Sequence, residues 1–137
     1  MKSLYIDFTR PAQAELSAAG EYVRSRHGDD AAEQFGRRVE EIIAQTAERL
    51  AKEIASDEFS KPFQSPDESA SVRWAQPVYR LSVETSPRRR RGSSAGLWYL
   101  YYALHDKANT GKPDTMLMYA FRHSAASPMT PDAGDDE

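Results

Sequence analysis

Leu97-Trp98-Tyr99-Leu100-Tyr101-Tyr102-Ala103-Leu104 is apolar or aromatic at every position. A run of β-formers with no polar alternation predicts a strand covered on both faces, at the centre of a sheet. Before it, Val78-Tyr79-Arg80-Leu81-Ser82-Val83 alternates as a half-exposed strand should. Tyr79, Leu81 and Val83 form its core face, and Val78, Arg80 and Ser82 the other. After it, the polar stretch from His105 to Pro113 leads to Thr115-Met116-Leu117-Met118-Tyr119-Ala120-Phe121, again apolar on both faces. Three successive strands joined by loops predict an antiparallel meander.

Upstream the period changes. Phe35, Val39, Ile42, Ile43, Thr46 and Leu50 fall on one helical face, with Arg37, Arg38, Glu41, Glu48 and Lys52 opposite. Asp29 or Asp30 is the expected cap, and Glu33 suits the positive end of the helix. An earlier helix carries Ala12, Leu16, Ala19 and Val23 on one stripe, with Thr9 as N-cap and Pro11 in the first turn. His27-Gly28 ends it, with His27 in a capping role. About four residues are expected to join the two helices as an antiparallel hairpin. Leu4 to Phe8 reads as a first strand. Residues 55–71, with Pro62, Pro66 and several serines, read as a long surface connection. The order β-α-α-β-β-β predicts one α+β domain over residues 1–125, with the helix hairpin packed on one face of a mostly antiparallel sheet. The Pro-, Ser- and acid-rich stretch 126–137 is expected to be disordered.

The 137-residue chain has a net charge of −3, which hides an asymmetry. Residues 1–70 hold 9 Lys+Arg against 14 Asp+Glu, a net of −5; residues 71–125 hold 9 against 3, a net of +6; residues 126–137 hold four acids. The β-rich part is therefore the basic part. Its charges attract a polyanion or an acidic protein if they share a face, and are simply solvated if they scatter. There is no cysteine, which excludes disulfides, thiolate zinc sites and a thiol nucleophile, and suits the cytoplasm. No apolar run approaches the ~20 residues needed to span a bilayer, and no signal-peptide pattern opens the chain. Three histidines without ligand spacing predict no metal site.

No phosphate-binding glycine loop, nucleophile elbow or metal-ligating helix pair is present. What remains is a set of Arg, His and Tyr residues on the expected sheet. Arg80 lies on the non-core face of its strand. Arg122 and His123 end the last strand. Tyr99, Tyr101 and Tyr102 sit between them. Arg groups bind phosphate and stabilise charge on it, a His moves protons near neutral pH, and aromatic rings stack on bases. Arg80, Arg122 and His123 are the catalytic candidates. Arg73, Tyr99, Tyr102 and the Arg88-Arg89-Arg90-Arg91 run of the 86–96 loop are the candidates for RNA or polyanion contact. The bland alternative is that the arginines meet solvent and the tyrosines pack.

The ordered set of segments resembles the RelE/ParE superfamily of type II toxin–antitoxin toxins. Tyr5-Ile6-Asp7-Phe8-Thr9 with Pro11 and Ala14-Glu15-Leu16 is similar to its opening strand and first helix. Asp30 to Phe35, Ile42-Ile43 and Ala47-Glu48-Arg49-Leu50 look like its second helix. Gly96 to Asp106 is similar to the central strand. Tyr119-Ala120-Phe121-Arg122-His123-Ser124, then Pro128, looks like the last strand of RelE- and HigB-like members. The resemblance implies a small cytoplasmic toxin neutralised by an adjacently encoded antitoxin, needing no metal or cofactor and no membrane. RelE- and HigB-like members cut mRNA on the ribosome with basic and Tyr residues of the open sheet face, whereas ParE-like members poison DNA gyrase. By position Arg80 matches a basic residue of the second strand, and Arg122 with His123 the basic group ending the last. Trp98 or Tyr99 stands where such nucleases carry an Arg, and Ser82 where they carry a second basic residue. An mRNA endonuclease, a gyrase poison without chemistry of its own, and an inactive antitoxin-binding relative are the three functions so implied.

Overall fold

The computed structural model describes residues 2–55, 66–84 and 97–123. The loop arginines Arg88–Arg91 and the segment 126–137 lie outside them.

The elements are β1 (Tyr5–Phe8), α1 (Arg10–His27), α2 (Asp29–Ala55), α3 (Glu68–Trp74), β2 (Tyr79–Glu84), β3 (Leu97–His105) and β4 (Thr115–His123). The fold is α+β, as the order of patterns predicts. The sheet runs β1-β4-β3-β2, with β3 antiparallel to both neighbours and β1 parallel to β4.

Thr9 caps α1, its Oγ1 accepting the Ala12 N–H at 3.2 Å. Pro11 lies in the first turn, where a missing N–H costs nothing. The helix pair is tighter than expected. Gly28 alone joins α1 to α2, at φ +95°, where a side chain would be strained. Its N–H bonds the Arg24 carbonyl, and its own carbonyl accepts the Ala32 N–H. His27 is the last residue of α1, and Asp29 and Asp30 lie inside the first turn of α2 rather than capping it. They stabilise the helix through its dipole.

Both helices cover one face of the sheet. Val39, Ile43, Ala47 and Leu50 of α2 bury against Tyr79, Val83, Trp98, Leu100, Tyr102, Met116, Met118 and Phe121. α1 contributes Ala12 and Ala19 with half-buried Leu16 and Val23, and its small residues allow close approach to its neighbours.

The opposite face is not wholly open. Within the stretch read as a loop, Asp67 caps the seven-residue α3, its carboxylate accepting the Ala70 N–H at 3.0 Å. Ala70 packs on Val78, Tyr101, Ala103 and Ala120 in a second, smaller core. Trp74 stacks on Tyr119, and the Gln76 amide donates to the Tyr119 hydroxyl, which also contacts His105 Nε2 at 3.3 Å. α3 ends at Ala75 in the left-handed region, φ +56°. It covers one end of the exposed face and leaves the other uncovered by any described element.

A candidate polyanion-binding face

β2 and β3 pair Arg80 with Tyr101 and Ser82 with Tyr99. β3 and β4 pair Tyr99 with Arg122 and Tyr101 with Ala120. Two rows therefore cross the sheet on the face away from α1 and α2: Ser82–Tyr99–Arg122 and Arg80–Tyr101–Ala120. Strands lie ~4.8 Å apart, so the two arginines are about two strand spacings apart across the sheet, with tyrosines between.

Arg122 reaches this face because of a bulge. Tyr102 pairs with Met118 while Tyr101 pairs with Ala120, so Tyr119 is an extra residue in β4. Met116 and Met118 point into the core. Strict alternation from them would send Ala120 and Arg122 into the core as well, and one extra residue inverts the phase. Phe121 then fills the core and Arg122 faces outward.

Arg80 is exposed, and its guanidinium carbon lies 4.3 Å from the centroid of the Tyr99 ring. Its side chain also hydrogen-bonds the Tyr101 phenol. Tyr101 is only 6% exposed. Burial pushes its phenol up from the usual tyrosine value, and Asp67 adds to the rise. The positive charges of Arg80 and Arg122, and the Arg80 hydrogen bond, oppose it. The net shift is upward, so the hydroxyl stays protonated at neutral pH. Tyr101 is the floor that orients Arg80, and Tyr99 is the half-exposed ring beside it. A planar guanidinium on an aromatic face, with a second guanidinium one strand beyond, suits a phosphate beside a stacked base.

Two candidates lie elsewhere. His123 pairs with Trp98 on the helix-side face and stands edge-on to that indole, centroids 4.9 Å apart. The expected grouping of His123 with Arg80 and Arg122 is corrected: adjacent residues in a strand point to opposite faces. Tyr102 is fully buried and stacks on Tyr79 at 5.4 Å, with its phenol pushed far up by burial. It is a core residue, so the expected polyanion contact through Tyr102 is corrected too. Arg73 sits on α3, 5.1 Å from the centroid of the Trp74 ring.

The tyrosine that shares a face with Tyr99 is Tyr101, two residues on. The alternation of β3 carried that signal, since Tyr99 and Tyr102 have opposite parity. A groove of about 420 Å³ also opens beside β1, lined by Tyr5, Asp7, Lys107 and Asp114 among others. None of the candidate residues lines it. No described helix is long and apolar enough to cross a membrane.

No protein-family model, curated protein or solved structure matches this chain.

Proposed function

We propose that the chain is the toxin of a RelE/ParE-like toxin–antitoxin pair and stops translation as a ribosome-dependent mRNA endonuclease. The supporting observation is that Arg80 and Arg122, far apart in sequence, share the exposed sheet face with Tyr99 between them. In the reaction, the ribose 2′-OH attacks the adjacent phosphorus. The O2′–P bond forms, the P–O5′ bond breaks, and a cyclic phosphate and a 5′-hydroxyl result. Arg80 and Arg122 hold the phosphate oxygens and stabilise the charge that builds on them. Tyr99 stacks on a neighbouring base, and Tyr101 holds Arg80 in place. The 2′-oxygen gives up its proton and the leaving 5′-oxygen takes one up, both exchanged with water rather than with His123. A cognate antitoxin encoded beside the gene and a cytoplasmic setting belong to the same proposal.

A second reading is favoured by the position of His123. With that ring among the helices, no described histidine stands beside Arg80 and Arg122, and His105 lies at the end of the face that α3 covers, against Tyr119. A gyrase poison that only binds, or an inactive relative, needs no histidine there.

Primer extension on mRNA from a cell-free translation reaction separates these readings. Ribosome-dependent cuts that vanish when Arg80 and Arg122 are both replaced by Ala support the endonuclease. Intact mRNA with ongoing translation rejects it, and inhibition of gyrase supercoiling by the same protein then supports the second reading.

A further inference from the structure

β1 pairs with β4 only as far as Phe8 and Met118, while β4 continues to His123. Beyond that point no described strand lies beside the edge of β4, and α1 takes the place. Thr9 Oγ1 donates to the Tyr119 carbonyl at 3.4 Å. Glu15, on the next turns of α1, accepts the Phe121 amide N–H through Oε1 at 2.9 Å. Its other oxygen, Oε2, lies 3.7 Å from Arg122 Nε. That Nε is buried and has no hydrogen-bond partner among the described residues. Phe121 faces the core and Arg122 the exposed face, so one carboxylate at the sheet edge touches both.

We propose that Glu15 is a positioning residue for Arg122. It anchors the Nε side of the guanidinium and leaves the Nη pair to meet an anion on the exposed face. This rests on the reading of that face as the RNA-binding surface. A buried cationic N–H without compensation is costly, and a carboxylate 3.7 Å away offsets it by charge while its other oxygen remains on the strand edge. A half-buried guanidinium fixed on one side loses less side-chain freedom when a phosphate binds the other.

Simple charge and positioning predict opposite signs. Removing a carboxylate beside a basic site strengthens anion binding if the carboxylate only repels the ligand, and weakens it if the carboxylate orients the arginine. Glu15→Gln keeps an oxygen for the Phe121 N–H and removes the charge, so the fold is preserved while the anchor is lost. The probe is a fluorescein-labelled uridine octamer, read by anisotropy. Glu15→Gln weakens binding on the order of five-fold with an unchanged urea midpoint, and has no further effect in an Arg122→Ala background. Tighter binding, or an equal loss in the Arg122→Ala background, overturns the proposal. If the wild-type chain binds no RNA, the RNA-binding reading of the face fails, and the Arg122 Nε–H resonance decides whether the anchor exists. Hydrogen exchange of that proton at least about ten-fold faster in Glu15→Gln sustains the anchor, and unchanged exchange overturns it.

Discussion

Arg80 lies over the ring of Tyr99, its guanidinium carbon 4.3 Å from the centroid, although the two residues sit on different strands and are not register partners. The contact is diagonal: Arg80 is opposite Tyr101, and Tyr99 is the next residue along β3 on the same face. The arginine thus bonds the hydroxyl of one tyrosine and covers the ring of another. Its charge stays at the surface while its direction is set by two aromatic side chains.

Arg80→Ala therefore affects binding much more than folding. The expected outcome is weaker binding of single-stranded RNA regardless of sequence, with the slope of log affinity against log salt smaller by about one. The stability change stays within about 0.5 kcal/mol, because the side chain is exposed. Anisotropy titrations at several salt concentrations, beside urea melts, check both parts.

Tyr99 and Tyr102 are expected to separate cleanly. Tyr102 is fully buried against Tyr79, so Tyr102→Ala costs about 3–5 kcal/mol of stability by analogy with other large aromatic truncations. Tyr99→Ala leaves the unfolding midpoint close to wild type and costs about 1–3 kcal/mol in RNA binding through lost stacking. Urea melts and RNA titrations on the two variants give opposite profiles.

The tyrosines of the sheet set the alkaline limit. Burial raises the phenols of Tyr79, Tyr101 and Tyr102 above the ordinary value of 10.0. The unfolded chain therefore loses these protons first, so their contribution is complete below pH 10 and declines as pH rises above it. Absorbance at 295 nm against pH is expected to show these three phenols ionising above the ordinary tyrosine value, together with the loss of tertiary structure.

At the acid end the sign reverses. Asp114 accepts hydrogen bonds from the Thr115 hydroxyl and from the Lys107 and Ala108 amides. These hold its carboxyl below the ordinary 3.8, the Thr115 bond contributing most. The stabilisation is present above pH 3.8 and is lost as pH falls through the lower value in the folded protein. Asp114→Asn is expected to be less stable than wild type at pH 7, with the gap narrowing below pH 3.8 in urea melts.

The two long helices were legible because their signals are local. Thr9 and Pro11 mark the start of α1, and the stripe from Phe35 to Leu50 marks α2. The three strands of the meander follow from their apolar runs. α3 was not legible: it is seven residues long and buries one, Ala70, so it has no stripe, and its one signal is Asp67 at the cap. The parallel pairing of β1 with β4 depends on which edge the returning chain meets, which no local pattern states. The site was half legible. Arg80 followed from the alternation of β2, and Arg122 from its place at the strand end. Its orientation depends on the bulge at Tyr119, and nothing in Met118-Tyr119-Ala120 marks an extra residue. His123 was grouped with Arg122 because they are adjacent, and in a strand that places them on opposite faces.

Arg122 and His123 provide the most direct measurement. Primer extension is run on mRNA from cell-free translation with wild-type protein, Arg122→Ala and His123→Ala, each first shown to be folded. If the exposed face is the site, Arg122→Ala loses the ribosome-dependent cuts and His123→Ala keeps them. Cuts that survive Arg122→Ala and vanish in a folded His123→Ala would place the chemistry on the helix side of the sheet and contradict this assignment.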